Sequence, residues 1–147
     1  MAKFNFTLEK VLRHRQTLEN LAQKEFQEGM AVLNSELALL EGLQEKRVQA
    51  FESRFQREVQ GGRASDSLTQ VHDFIKGQDV RIARQRKKIV EIEKQVEELR
   101  EALRQKAVDT KIMEGLKERK QEEFKLEQKK LEQKRLDDMS TSRFRSR

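Results

Sequence analysis

The sequence contains no cysteine, no proline, no tryptophan and no tyrosine, and each absence excludes something. Without Cys there is no disulfide framework and no thiolate metal site, and the chain suits a reducing compartment. Without Pro nothing need interrupt a long helix, because an internal Pro removes a backbone hydrogen bond and costs a helix about 3 kcal/mol. Glycine is sparse and informative in its placement. Gly29, Gly42, Gly77 and Gly115 stand alone among helix formers, whereas Gly61 and Gly62 are adjacent and lead into Arg63, Ala64, Ser65 and Asp66. Only that place reads as a turn. Long apolar runs are missing too: no window approaches the roughly 20 residues a membrane span requires, and Met1 to Thr7 has no apolar stretch of signal-peptide length. The expected location is the cytoplasm, with any contact to the inner face of the cell membrane peripheral and made through a partner.

What is present is charge. Of 147 residues 39% are charged and 35% hydrophobic, with eight Phe as the sole aromatics. That is too polar for a compact globule, but a two-helix coiled coil buries one narrow seam and needs an apolar residue at only about two positions in seven.

In the second half Leu68, Ile75, Ile82, Ile89, Val96 and Leu103 recur seven residues apart, and Val71, Ile92, Leu99 and Met113 fall three residues after members of that series or of its continuation at Thr110. This spacing predicts the a and d positions of a heptad seam. Gln78 and Gln85 fill two d positions, either fixing register or marking a looser stretch. In the first half Val11, Leu18, Val32 and Leu39 hold one heptad position. Leu12, Phe26, Leu33 and Leu40 follow immediately after, with Leu8, Ala22 and Leu43 three before. The stripe is broad, is interrupted by Glu25, Gly29 and Glu36, and beyond residue 47 changes phase to Val48, Phe51, Phe55 and Val59.

The pattern predicts an all-α chain forming one domain, a long two-helix antiparallel coiled coil with helix 2 longer than helix 1. Helix 1 is expected over about 5–60, capped by Asn5 or Thr7, and a turn over 61–65. Helix 2 is expected over about 66–139, opening on a capping box of Ser67 and Gln70, followed by a basic disordered tail over 140–147. A short connection makes the helices antiparallel neighbours and sets Phe4 beside Gln121. Helix 2 then overhangs its partner, with Phe124, Leu126, Leu131, Leu136 and Met139 as its apolar residues. Such an end is marginal in water unless a partner orders it, so Phe124 and Leu131 are candidates for partner contact.

The net charge is +6. Many cations stand three residues from an acid, as in Glu91 with Lys94 and Glu97 with Arg100, which is the spacing of a solvated helix face. The run Arg81, Arg84, Arg86, Lys87 and Lys88 lacks such acids and is the candidate surface for an acidic partner. With few aromatics and no recognised module, nucleic acid is not the expected ligand. His14 and His72 stand in no metal-ligand spacing, and Gly61-Gly62 lacks the Lys-Ser or Lys-Thr of a phosphate loop. Acidic doublets such as Glu97-Glu98 sit on helices that offer no water-excluding pocket. No catalytic residue, cofactor, metal or small-molecule substrate is expected; binding to other proteins is.

The opening Phe4-Asn5-Phe6-Thr7-Leu8-Glu9-Lys10-Val11-Leu12-Arg13-His14-Arg15, with Glu19 and Ala22, resembles that of the FliJ family of bacterial flagellar export proteins. The other end does too, through Asp109, Lys111, Glu114, Leu116, Lys117, Glu118 and Arg119, then Phe124, Glu132, Leu136, Asp137, Asp138, Met139, Arg143 and Phe144. The resemblance implies a non-enzymatic component of the flagellar type III export apparatus, serving flagellum assembly and motility. It implies an antiparallel coiled coil like the rotor stalk of rotary ATPases, with the export ATPase FliI, the export gate protein FlhA and export chaperones as partners. On that footing Leu8 to Leu18 with Met113 to Leu131 is the half expected to enter the ATPase ring. Phe51, Phe55 and Phe74, outside or out of phase with the seams, are candidates for gate contact, or else pack with one another. The stalk of a virulence type III secretion system and a basic nucleic-acid-associated coiled coil are the alternatives.

Overall fold

The computed structural model describes residues 2–59 and 65–146. It contains two helices, α1 over Glu9–Val59 and α2 over Ser65–Arg145, of 51 and 81 residues. The chain is all-α, two helices packed antiparallel, the second the longer. Most of the turn expected over 61–65, with the end of the first helix at Gln60, lies outside the described residues. The rest separates into two compact units, Met1–Leu21 with Arg104–Arg147, and Ala22–Leu103.

Within the second unit the seam follows the heptad on α2. Ile75, Gln78, Ile82, Ile89 and Val96 are buried, and Leu68, Val71, Gln85, Ile92, Leu99 and Leu103 are half-buried. On α1 the facing line is Ala22, Phe26, Gly29, Leu33, Glu36, Leu40, Leu43, Arg47, Ala50, Arg54 and Arg57, alternately four and three residues apart. In the first unit the same line on α1 is Leu12, Arg15 and Glu19, and on α2 it is Lys106, Thr110, Met113 and Lys117. Taking Leu12 and its sevenfold successors as a, and Arg15 and its successors as d, each helix has a defined set of flanking positions, e and g.

The seam on α1 therefore runs one residue later than the series Val11, Leu18, Val32 and Leu39, of which Val11, Val32 and Leu39 are exposed and Leu18 half-buried. Those four occupy g. The cause is visible in the sequence: g, a and several d positions are apolar together in this half, so apolarity alone does not choose among them. The line that pairs contains Arg15, Glu19, Arg47, Arg54 and Arg57, whose long stems lie along the seam while their heads reach its edge. Beyond residue 47 the seam does not rotate either. It continues through Arg47, Ala50, Arg54 and Arg57, and Val48, Phe51, Phe55 and Val59 are exposed.

Gly29 has a packing reason to be glycine. A Cβ there would sit 2.8 Å from Leu99 Cδ1 and 3.5 Å from Val96 Cγ2, whereas at Gly42 and Gly77 it would meet nothing within 4 Å. Gly29→Ile is expected to destabilise by about 1–3 kcal/mol through overpacking. Gly42→Ala and Gly77→Ala should each stabilise by about 0.5–1 kcal/mol through helix propensity. Urea unfolding followed by circular dichroism reads all three.

The helix ends differ from expectation in detail. α1 begins at Glu9, so Leu8 rather than Asn5 or Thr7 precedes it, and Leu8 O accepts from Leu12 N at 3.0 Å. Glu9 in the first turn offsets the helix dipole. Ser67 lies inside the first turn of α2, which starts at Ser65. α2 runs past Met139 to Arg145. Its last turns hold backbone-directed hydrogen bonds, Thr141 Oγ1 to Asp137 O at 2.8 Å and Ser146 N to Ser142 O at 3.1 Å, and Arg143 and Arg145 suit the negative end of the dipole.

Candidate partner-binding surfaces

Polar side chains cross the seam of the second unit in one stretch. Gln78, 1% exposed, donates from Nε2 to Leu43 O at 3.2 Å, and its Oε1 accepts from Arg81 Nη1 at 3.3 Å. One heptad on, Gln85 Nε2 donates to Glu36 O at 2.9 Å and also to the Glu36 carboxylate. Lys88 Nζ closes the group 2.9 Å from Glu36 Oε1, and Arg47 pairs with Asp79 on the other side of the seam. Both glutamine amides thus bind the backbone of the opposite helix at one position each. These two d residues fix register, because a slip would leave their amides without those acceptors. No buried side-chain nitrogen or oxygen among the described residues lacks a partner.

The Gln85 hydrogen bond, then that of Lys88, holds the Glu36 carboxyl below its ordinary value. A depressed carboxylate contributes stability that is complete above its unfolded pKa, roughly 4.3, and lost as pH falls through the folded value. Melting temperatures taken from pH 7 down to pH 3 should therefore fall more steeply for the native chain than for Glu36→Gln.

The expected contact residues fall on different flanks. In an antiparallel pair g positions face g and e positions face e. Phe74, Arg81 and Lys88 are at g of α2, with Arg84 beside them at c, and all four are exposed. Phe51 is at e and Phe55 at b of α1, both exposed on the opposite flank. The three Phe residues therefore do not form one surface. Arg84, Arg86 and Lys87 make no ion pair among the described residues, in contrast with Arg81, held by Gln78, and Lys88, held by Glu36.

The first unit has its own core of Phe6, Leu12 and Met113, against which Phe4 and Leu116 pack. The chain before α1 lies against α2, the Phe4 ring tilted 54° to that of Phe124 with centroids 5.7 Å apart. That is three residues from the Gln121 contact expected. Lys117 Nζ reaches Glu9 at 3.0 Å and Arg15 Nη1 donates to Asp109 O at 3.2 Å. From Lys129 every described residue is exposed, so Leu131, Leu136 and Met139 are apolar without a cover, whereas Phe124 is half-buried. A shallow groove there is lined by Leu131, Arg135, Met139 and Arg143 among others.

His14 and His72 are exposed, and the described residues contain no group of three His, Cys, Asp or Glu placed to hold a metal ion. Among them no helix is long and apolar enough to cross a membrane.

A family model described as flagellar FliJ protein matches residues 4–147. The chain belongs to the FliJ family. No curated protein and no solved structure matches it. Membership connects the chain with flagellar export, and the match covers both ends of the sequence, where the quoted likeness lies. The seam hydrogen bonds of Gln78 and Gln85 and the Phe4–Phe124 contact are what residue patterns alone did not specify. Two Gln at successive d positions, seven residues apart, were the available signal for the first.

Proposed function

We propose that this member of the FliJ family is a non-enzymatic coiled-coil stalk of the flagellar type III export apparatus, working in the cytoplasm at the inner face of the cell membrane. In this reading the unit built from Leu8 to Leu18 and Met113 to Leu131 associates with the ring of the export ATPase FliI. The other unit meets the export gate protein FlhA and the export chaperones, with Phe74 and its basic neighbours as the contact. Flagellum assembly and motility depend on both engagements.

The observation that carries the reading is the uncovered end of α2. Leu131, Leu136 and Met139 stand among Lys129, Lys130, Lys134 and Arg135 with none of the described residues over them. Helix without packing is marginal in water, and Leu131 and Leu136, five residues apart, face different sides of α2, so a partner that surrounds this end would cover both. In this reading the hexameric FliI ring surrounds that end of α2, and membership of the family connects the chain with flagellar export.

The test is the rate of ATP hydrolysis and the yield of hexamers of purified FliI from the same organism, with and without the chain. Stimulation of both is the expected result. No change in either, with the chain verified helical and monodisperse, removes the stalk reading.

A further inference from the structure

The g flank of the second unit has an order that the seam does not require. Gln78 meets Leu43 and Gln85 meets Glu36, so the register of the two helices is fixed over this stretch. In that register Val32 of α1 lies level with Lys88 of α2, Leu39 with Arg81, and Lys46 with Phe74. Each layer therefore holds one apolar side chain and one cation, of which Lys88 is already met by the Glu36 carboxylate while Arg81 and Lys46 face no carboxylate among the described residues, and the layers repeat every heptad, about 10.5 Å apart. Val32, Leu39 and Phe74 are 51%, 56% and 44% exposed. No carboxylate occupies a g or c position from Val32 to Gln49 on α1 or from Phe74 to Lys88 on α2. The e flank is unlike it. There Glu41, Asp79 and Glu93 stand among Lys76 and Arg86, and Arg47 is paired with Asp79.

We propose that this g flank takes one amphipathic, acidic helix of a partner protein as a third strand, with one apolar residue of that helix meeting each of the three layers and one carboxylate meeting each of Arg81 and Lys46. The inference rests on the reading that this chain acts by binding proteins, and names the chemistry of what one surface binds. Charge complementarity and the heptad repeat of the layers choose the occupant. Positions g border the seam, so their apolar atoms line the groove between two helices, where the ridge of a third helix fits. A bilayer would take apolar residues from the outward ridge of a helix, with cations to either side. Gly42 and Gly77 at the neighbouring c positions leave open space, so the partner backbone approaches without obstruction.

The probe is a labelled helical peptide of about three heptads, carrying Leu and Glu once per heptad on one face and neutral residues elsewhere, with a second peptide in which Lys replaces Glu. Anisotropy with the full chain is expected to show saturable binding of the Glu peptide, weakened by salt, and none of the Lys peptide. Leu39→Gln, and separately Lys46→Glu with Arg81→Glu, should weaken it about tenfold or more, the loss expected of a central anchor. Lys24→Glu with Lys94→Glu, at exposed f positions away from both surfaces, changes the net charge equally and should leave it unaltered. Equal binding of both peptides, or equal loss in the Lys24 and Lys94 variant, overturns the proposal as non-specific attraction. Failure of the Glu peptide to bind, with phosphatidylglycerol vesicles bound and released by the flank variants, overturns it in favour of a lipid surface. Stimulation of the ATPase by the same preparation separates the two ideas. If stimulation is intact and the peptide does not bind, the flank proposal alone falls; if stimulation is absent, the stalk reading falls while the peptide result still decides the flank.

Discussion

Replacing Ile89 with Asp is expected to destabilise the helical pair of the second unit by about 3 kcal/mol or more, the cost of burying a charge with no partner. Ile89 is 5% exposed at an a position and follows Gln85 by one turn. Gln85 is already committed to Glu36, so the new carboxylate meets apolar side chains and an existing negative charge. Ile89→Val removes one methylene and should cost only about 0.5–1.5 kcal/mol. Urea unfolding at pH 7 measures both. Acidifying toward pH 4 should restore part of the Asp variant's helicity, since a protonated carboxyl tolerates burial better, although the native chain is losing the Glu36 contribution over the same range. A loss under about 1 kcal/mol for Ile89→Asp would contradict the seam assigned to α2.

The second large effect lies in the other unit. Leu12 is 3% exposed in the cluster with Phe6 and Met113, and Leu12→Ala should cost about 2–5 kcal/mol. Val11→Ala, one residue away and 40% exposed, should stay within about 0.5 kcal/mol. Hydrogen exchange places the loss. Protection should fall over residues 9–15 and 110–117 in Leu12→Ala and persist in Val11→Ala. The reverse order of the two variants would return the seam of α1 to Val11 and its successors.

That pair of residues shows how far the sequence was legible and where it stopped being so. On α2 the a series of Ile and Val alternates with polar outer positions, so one phase is distinguished and the burial follows it. On α1 the g and a positions are apolar side by side, as in Val11-Leu12, Val32-Leu33 and Leu39-Leu40, and several d positions hold Arg, Glu or Gly. Hydropathy then has no preferred phase. The phase is set by what α2 presents: Leu99 needs the space left by Gly29, and Gln85 needs the carbonyl and carboxylate of Glu36. Gly29 and Glu36, which interrupt the apolar stripe, are thus members of the seam. Such pairwise fits depend on the register of two distant segments and leave no periodic trace in either one.

The same limit applied to the contact surfaces. The basic run from Arg81 to Lys88 stood out as charge without acids, but linear order did not divide it between flanks. Heptad positions do, placing Arg81, Arg84 and Lys88 with Phe74 and separating them from Phe51 and Phe55. The exposure of Val48, Phe51, Phe55 and Val59 was legible only as a change of phase, because the seam beneath them is carried by Arg47, Arg54 and Arg57 instead of by apolar residues. The extension of α2 to Arg145 exceeded what an Arg- and Ser-rich ending suggested; Thr141 and Ser146 direct their hydrogen bonds to the helix's own backbone.

If the two units meet different partners, stimulation of the export ATPase by two variants of equal helicity shows it most directly. Leu131→Asp alters only the uncovered end of α2, and Leu39→Gln only the g flank of the other unit. The prediction is that Leu131→Asp abolishes most of the stimulation and Leu39→Gln retains it. Full stimulation by Leu131→Asp, with loss in Leu39→Gln, would contradict the assignment and move ring binding to the flank reserved here for an acidic helix.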